Sequence, residues 1–290
     1  MDNQQLTAFI SVAEAGSFSI AAEQLHLTQP AVSKRIALLE QQLNTSLFDR
    51  IGRRVTLTEA GKVLLPRAKK LARDLDDTRI SIRNLTREIT GRLPLAASHH
   101  VGLHRLPPVL KEFSRLFPQV AIDIAFLESE QAYRQVSHGD IELAIVTLAL
   151  EPVDRIFAKT VWRDKLLFMT SPDHPLTRHD NPQLSDLLDY PAILPGANTF
   201  TRQLIEKLFQ SKQLTLNVSM STNYLETIKM MVSIGMAWSV LPASMLDGGL
   251  RVLPVMDISL SRNLGYIHHR EHALSNACRA FIGELERQGE

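Results

Sequence analysis

The stretch TQPAVSKR, residues 28–35, decides the fold of the first part of the chain. Thr28 is a residue type that caps helices, and Pro30 fits a first helical turn, where its missing N–H leaves no hydrogen bond unmade. From there to about Leu43, apolar residues recur every three or four positions, which predicts a helix with one buried face. The inward residues of that face are Val32, Ile36, Leu39 and Leu43.

Two shorter helices are predicted before this one. The apolar face of the first is formed by Leu6, Phe9, Ile10 and Ala13. Gly16 ends that helix in a left-handed cap, and Ser17 or Ser19 begins the second, in which the small residues 21–22 allow close approach to a neighbour. A turn at residues 26–28 leads to the third helix. This order is typical of a helix-turn-helix, whose last helix enters the major groove of DNA.

The amino end of the third helix presents polar side chains that suit DNA. Those predicted to face outward are Gln29, Pro30, Ser33, Lys34 and Arg35. Glutamine can bond an adenine edge twice, serine can bond either base, proline can touch a thymine methyl group, and the two cations can neutralise phosphates. A solvated polar surface is the alternative for each residue taken alone. The helix-turn-helix spacing favours DNA contact for the set.

Residues 47–57 follow with the pattern of a short hairpin that has Gly52 near its tip. Three arginines, Arg50, Arg53 and Arg54, lie at and beside this tip. They suit contact with the DNA backbone or insertion into a narrow minor groove. The alternative is an edge hairpin whose charges prevent strand pairing with other chains. We interpret the hairpin as a wing.

Charge is divided unequally along the 290 residues. Residues 1–92 carry 14 Lys or Arg against 10 Asp or Glu, whereas residues 93–290 carry 18 against 21, as expected if one part meets phosphates and the other does not.

Apolar runs are too short to span a membrane, and the amino end does not resemble a secretion signal. The single cysteine, Cys278, is expected to be a buried thiol in a reducing compartment. We therefore expect a cytoplasmic protein.

Five motifs in order carry a family resemblance. They are Ala21-Ala22, residues 28–33, Leu39-Glu40, residues 47–50 and residues 57–61. With them the chain resembles the LysR-type transcriptional regulators. The resemblance implies that Gln29, Pro30 and Ser33 face base edges and that the wing arginines face the backbone or minor groove. Lys34 stands at a position that varies in that family.

A long helix is predicted from Thr58 to about residue 90, closed by Gly91. Its apolar seam is Ala68, Leu71, Leu75, Thr78, Ile82, Leu85 and Ile89. Such a spacing is typical of a coiled coil, so we expect a homodimer that presents two reading helices, with a tetramer as the further assembly. Packing of the helix on its own domain is the alternative. The expected domains are 1–60 for DNA binding, 61–90 for the linker and 91–290 for regulation.

The remaining chain alternates apolar runs with helical patterns, which predicts parallel α/β units. The predicted strands are residues 93–97, 120–127, 143–147, 166–171, 192–194, 216–220 and 237–241. This part resembles the family's effector domain, two lobes of the type-2 periplasmic-binding-protein form joined by two crossing strands. With crossings near Val161 and Leu264, lobe I is expected over about 91–161 and 265–290, and lobe II over about 162–264.

Ligands of such α/β folds bind in the crevice at the carboxyl ends of strands. Residues expected to line the effector cleft are Ser98, His99, His100, Thr147, Thr199, Thr201, Thr222 and Asn223. Because helix amino ends attract anions, a small carboxylate or other anion is the expected effector. Helix capping alone is the alternative role for the hydroxyl and amide side chains.

Other functional classes find little support. No nucleophile elbow, phosphate loop or metalloprotease motif occurs, so no catalytic residue or cofactor is expected. The histidines at positions 99, 100, 104, 268, 269 and 272 have no carboxylate or cysteine at a recognisable spacing, and no metal site is expected. A secreted solute binder would have no use for the basic front part.

The expected function is that of an effector-controlled transcriptional regulator, which binds double-stranded DNA and contacts RNA polymerase if it activates. The alternative is an effector-independent, chromosome-organising protein with a vestigial cleft.

Overall fold

The computed structural model describes residues 1–51, 54–86, 88–256 and 258–289, and only the backbone of Arg50, Ile51 and Arg54. The chain divides into two compact units, Met1–Thr86 and Arg87–Glu290. The helix-turn-helix and the long helix fall in the first unit. No helix in the described ranges combines the length and the apolar character that crossing a membrane requires.

The first unit contains four helices and a two-stranded hairpin. They are α1 (Asn3–Ala15), α2 (Phe18–Gln24), α3 (Gln29–Leu43), β1 (Phe48–Ile51), β2 (Arg54–Leu57) and α4 (Glu59–Asn84). Asp2 and Gln5 form a reciprocal capping box at the start of α1, and Gly16 ends it in the left-handed conformation. The Ser17 hydroxyl accepts a hydrogen bond from the Ile20 amide and starts α2. The predicted helix order is confirmed.

The core of this unit forms where α1, α2 and α3 meet. Its fully buried side chains include Phe9, Val12, Ala21, Val32, Ile36 and Leu39. Two expectations for α3 were wrong. Leu43 is exposed and lines a surface groove together with Val63, because α3 has already left the core at its last turn. Thr28 stands at the N-cap position, but its side chain makes no capping hydrogen bond.

The motif residues that follow α3 fix the hairpin to it. The Glu40 carboxylate accepts hydrogen bonds from the amides of Leu47, at 2.7 Å, and Phe48, at 3.4 Å. Gly61 lies against this corner, since a Cβ there would stand 2.3 Å from the Leu47 carbonyl oxygen. The Thr58 hydroxyl caps α4 by accepting from the Gly61 amide at 3.1 Å. These contacts give a physical reason for the residue types in the last three motifs.

The long helix is shorter than predicted. It ends at Asn84, and Gly91, with a φ of 98°, opens the next strand instead of capping α4. Ala68 is buried in the core of its own unit, and Ile89 packs against a core of the second unit. The remaining apolar residues of the seam are exposed, namely Leu71, Leu75, Ile82 and Leu85.

The second unit alternates strands and helices. Its first half has β3 (Gly91–Ala97), α5 (His99–His104), α6 (Leu106–Leu116), β4 (Val120–Phe126), α7 (Ser129–His138), β5 (Leu143–Thr147) and β6 (Ile156–Thr170). Its second half has β7 (Ala192–Leu194), α8 (Phe200–Ser211), β8 (Val218–Ser221), α9 (Leu225–Ser233), β9 (Ser239–Pro242), β10 (Arg251–Val252), β11 (Leu260–His269) and α10 (Asn276–Arg287).

The largest sheet has the strand order β10-β6-β11-β5-β3-β4, and β9 also pairs with β6. The pairs β3–β4, β3–β5 and β7–β8 are parallel, as the alternation predicted. All pairs made by β6 and β11 are antiparallel. The sheet is therefore mixed, because these two strands connect the lobes rather than belong to a βαβ unit.

Strands β6 and β11 run beside each other from the Ile156–His269 pair to the Leu166–Leu260 pair. Their register shifts between Leu264 and Gly265. At Gly265 a Cβ would stand 2.0 Å from the Lys159 carbonyl oxygen, so glycine permits the close approach at this bulge. The crossing positions predicted at Val161 and Leu264 lie within these strands.

Separate cores stabilise the two lobes. One surrounds Leu95, Phe113, Ile145, Tyr266 and Phe281, and belongs to β3, β5, α6, α10 and the end of β11. The other surrounds Phe168, Leu194, Ile205, Phe209 and Trp238, and belongs to β7, α8, β9 and the end of β6. The crossing strands are the continuous structure between the two cores. A two-lobed regulatory unit was predicted, and this architecture is confirmed.

Candidate functional site

The outer face of α3 is formed as its periodicity predicts. Gln29, Pro30 and Lys34 are exposed, whereas Ser33 and Arg35 are half-buried. The Gln29 side-chain amide donates a hydrogen bond to the Ser33 hydroxyl at 3.2 Å. Two of the three predicted base-reading side chains, Gln29 and Ser33, therefore stand together, one helical turn apart.

The wing is present as the antiparallel pair β1–β2, in which Arg50 pairs with Val55 and Ile51 with Arg54. Arg53 lies outside the described residues, and so do the side chains of Arg50 and Arg54. Their expected role in DNA contact stays a prediction.

A cleft between the lobes contains a cavity of about 50 Å³. Its lining is Ser98, His99, His100, Glu128, Ser129, Glu130, Thr147, Pro195, Thr199, Thr201, Asn223, Leu225 and Arg262. Seven of the eight residues predicted from sequence are among these. The eighth, Thr222, is not among the described residues that line the cavity. Its hydroxyl accepts a hydrogen bond from the Tyr224 amide at 3.5 Å. The cavity is small and partly open to solvent.

The hydroxyl groups in the lining have different surroundings. Ser98 occupies the N-cap position of α5 without capping it through its side chain. The Thr199 hydroxyl caps α8 by accepting from the Arg202 amide at 3.2 Å, which is the structural role considered as the alternative. The Thr147 amide donates to the Ser129 hydroxyl at 3.1 Å, and Thr147 is buried at the end of β5.

Arg262 is a cleft residue that the sequence patterns did not reveal. It lies on β11 opposite Asp164 of β6, and its Nε donates to the Asp164 carboxylate at 2.9 Å. Arg262 is 6% exposed and Asp164 2% exposed. Arg262 Nη1 donates to the Thr201 hydroxyl at 2.9 Å, while Nη2 has no hydrogen-bond partner among the described residues. The signal available in sequence was that Asp164 and Arg262 each lie within three residues of a predicted crossing.

Two carboxylates also enter the cleft from lobe I. Glu130 accepts a hydrogen bond from the Phe200 amide at 2.6 Å, so the amino end of α8 already receives a carboxylate from the opposite lobe. Glu128 interacts with the Asn223 side chain, and burial together with the neighbouring Glu130 raises the pKa of Glu128. Sequence reasoning missed both residues, which follow strand β4 much as Ser98 follows β3.

The histidines that follow β3 take part in contacts across the cleft. The ring of His99 stacks on Phe126 at 5.6 Å and meets Tyr224 of lobe II edge-on at 5.2 Å. Burial, and then the positive charge of Arg262, lowers the pKa of His100 to about 3. His104 Nε2 lies 3.1 Å from the Glu226 carboxylate of α9.

Cys278 lies in α10 and is fully buried. Burial raises the pKa of the Cys278 thiol, and the nearby Glu142 carboxylate adds to this rise. The thiol is therefore kept in its protonated, unreactive form, as expected from its apolar surroundings in the sequence.

A winged helix-turn-helix joined to a two-lobed ligand cleft defines a DNA-binding transcriptional regulator with an effector domain. Comparison with known families agrees: “LysR substrate binding domain” matches residues 86–290, and “Bacterial regulatory helix-turn-helix protein, lysR family” matches residues 3–62. The chain belongs to the LysR family of transcriptional regulators.

Individual relatives carry regulator names as well. The “Uncharacterized HTH-type transcriptional regulator in ibpB-leuC intergenic region” of Azotobacter vinelandii is 66% identical over 108 residues, which cover 37% of this chain and 75% of that protein. The “Uncharacterized HTH-type transcriptional regulator YeiE” of Escherichia coli (strain K12) is 30% identical over 284 residues, 96% of this chain and 95% of that one. A full-length OxyR variant from Pseudomonas aeruginosa shares the fold, with a TM-score of 0.73 at 22% identity over 100% of this chain and 94% of the other.

The substitution Asp164→Asn tests the buried pair. It leaves the buried Arg262 charge without its counter-ion, so we expect the free energy of unfolding to fall by about 3 kcal/mol. Both tryptophans of the chain, Trp162 and Trp238, lie in the second unit, and their fluorescence during urea unfolding follows that unit. Asp154→Asn is the control, because Asp154 is exposed and pairs loosely with Arg155 at 3.7 Å. Equal stability of the two variants would contradict the importance of the pair.

Proposed function

We propose that this regulator reads a specific DNA sequence through α3 and changes its DNA binding when a small effector occupies the cleft between the lobes. The observation that supports this most directly is Arg262, a buried arginine that lines a polar cavity between the lobes and whose Nη2 has no hydrogen-bond partner among the described residues. The proposed domain limits are 1–60 for DNA binding, 61–90 for the linker and 91–290 for regulation. We propose that the protein acts in the cytoplasm. We also infer that the chain is not an enzyme, in agreement with the regulator names of its relatives.

The base-reading role is proposed for Gln29, Pro30 and Ser33, with Lys34 and Arg35 on phosphates. Support comes from the exposure of Gln29 and Pro30 and from the hydrogen bond that holds Gln29 beside Ser33. Phosphate contacts strengthen binding to any duplex, whereas base contacts distinguish one sequence from another. The wing arginines are proposed to add backbone or minor-groove contact.

Gln29→Ala should weaken binding to the preferred duplex by about tenfold or more and leave binding to random duplex nearly unchanged. The preferred sequence is first selected from a random library, and affinities are then measured by fluorescence anisotropy. Lys34→Ala is the comparison, because loss of a phosphate contact should weaken both complexes and reduce the salt dependence. Equal weakening of both complexes by Gln29→Ala would remove its base-reading role.

The proposed effector is a small molecule with an anionic group and at least one hydrogen-bond donor, such as a hydroxy acid or an amino acid. The anionic group would meet Arg262 Nη2, and the donor would meet the Glu128 and Glu130 carboxylates. An effector that is anionic throughout fits less well, because Glu130 already occupies the amino end of α8. The cavity of about 50 Å³ must widen to admit such a ligand, so binding is coupled to lobe movement.

Thr147→Val should reduce the response to effector while sparing DNA affinity, since valine keeps the shape but removes the hydroxyl from the cavity. A panel of small hydroxy and amino acids is screened against the full chain, and a binder is recognised by a higher unfolding temperature. Thr222→Val is the matched control, because Thr222 is not among the lining residues. A full response in Thr147→Val, or an equal loss in both variants, would contradict this cleft as the effector site. A screen without any binder favours the effector-independent alternative.

We further propose a homodimer through α4, which could pair into a tetramer. The support is the exposed apolar stripe of Leu71, Leu75 and Ile82 on the 26-residue helix α4, which exposed Leu85 continues at the residue after the helix end. Apolar residues at this spacing are buried when two helices coil together. Pairing would present two reading helices to two half-sites, and an activator would in addition meet RNA polymerase.

Ile82→Glu tests the dimer. Ile82 is 63% exposed in the single chain, so the change should affect the stability of a monomer little, but it places a charge in the proposed seam. We expect the dimer dissociation constant to rise by about tenfold or more in analytical ultracentrifugation. Arg83→Glu is the control, since one residue turns the side chain about 100° around the helix. Unchanged association in Ile82→Glu would show that α4 is not the interface.

A further inference from the structure

Three potential metal ligands from different parts of the chain meet beside the effector cavity. They are His100 and His104 of α5 and Glu226 of α9, and their ligand atoms all lie within 4.8 Å of one another. The two histidines are four residues apart, so they share one face of α5, with ring centroids 4.7 Å apart. Glu226 comes from the opposite lobe, 122 residues after His104.

His100 gives a second, independent reason to expect a ligand. It is 6% exposed, and neither of its ring nitrogens has a hydrogen-bond partner among the described residues. Asp164 Oδ2 lies 3.7 Å from His100 Nε2, which is too far for a hydrogen bond. A buried polar group without a partner is unfavourable, and a coordinate bond to a metal would satisfy one of these nitrogens.

We propose that His100, His104 and Glu226 bind a divalent transition metal, with zinc as the metal that this ligand set suits best. Two imidazoles and one carboxylate are a common set for zinc sites that keep one position open to water or to another ligand. Separations within 4.8 Å require the side chains to close by about 1 Å, which the partly exposed His104 and Glu226 allow.

Charges of both signs lie close to the site. Arg262 and Arg105 are the cations near His100, and Asp164 pairs with both, at 2.9 Å and 3.6 Å. Glu226 supplies the negative charge that directly faces the site. The Asp164 carboxylate also lies close enough to His100 to help orient its ring.

A metal at this position would tie lobe I to lobe II. His100 and His104 follow β3 in lobe I, while Glu226 lies in the first turn of α9 in lobe II. The metal would therefore favour the arrangement of the lobes seen in this structure. This role is separate from the effector proposal, which rests on Arg262 and Thr147, and either can fail without the other.

The test uses the full chain, freed of metal with a chelator and titrated with Co²⁺ and then with Zn²⁺. We expect one equivalent of Co²⁺ to bind with a visible absorption band that Zn²⁺ displaces, and Zn²⁺ to raise the unfolding temperature. His104→Gln and Glu226→Gln should each weaken binding by about tenfold or more. Both residues are partly exposed, so these variants avoid the folding risk of changing His100.

His179→Gln is the matched control, because His179 is an exposed histidine of the same unit outside this cluster. It should bind Co²⁺ as the parent does. Absence of Co²⁺ binding by the parent, or unchanged affinity in both His104→Gln and Glu226→Gln, would overturn the proposal. Equal weakening in His179→Gln would overturn it as well.

Discussion

The buried pair of Asp164 and Arg262 is the interaction on which the regulatory unit depends. The two residues face each other on the strands that join the lobes, and both are almost fully buried. Removing either charge would leave the other buried without a counter-ion, which would lower the free energy of unfolding by several kcal/mol. Because Arg262 also donates to Thr201 of α8, the pair joins the crossing strands to lobe II at the base of the cleft.

The contacts that close the cleft are of a different kind. Glu130 meets the Phe200 amide, Glu128 meets Asn223, and His104 meets Glu226. Most of these groups are partly exposed, so water can replace each contact at a cost of about 1 kcal/mol or less. A rigid base and a weakly closed mouth allow the lobes to separate without loss of the fold. The lobes can thus be together or separated. A ligand that binds one of these two arrangements better by roughly 1–3 kcal/mol, the usual range of allosteric coupling, would be enough to shift the equilibrium between them.

Sequence reasoning succeeded where structure depends on nearby residues. The outward face of α3, the wing strands and seven lining residues follow from local periodicity, capping and the ends of strands. It failed where partners are distant: Arg262 meets Asp164 across 98 residues through the register of two strands, and Glu226 reaches His104 across 122. Because Glu226 is so distant in sequence, the spacing of the histidines did not reveal this carboxylate. The end of α4 at Asn84 was missed because apolar spacing continues to Ile89, which packs in the other unit's core.

Helix α5 connects the effector cavity with the proposed metal cluster. His99 and His100 line the cavity, and His104, one turn after His100, faces Glu226. A divalent cation at the cluster would add positive charge close to Arg262, and an anionic group in the cavity would offset both charges. Each ligand would then favour binding of the other, and by thermodynamic linkage the two effects must be equal. The sign of this coupling follows from electrostatics, because one short helix carries histidines of both the cavity and the metal cluster. It does not depend on which anion the cleft accepts.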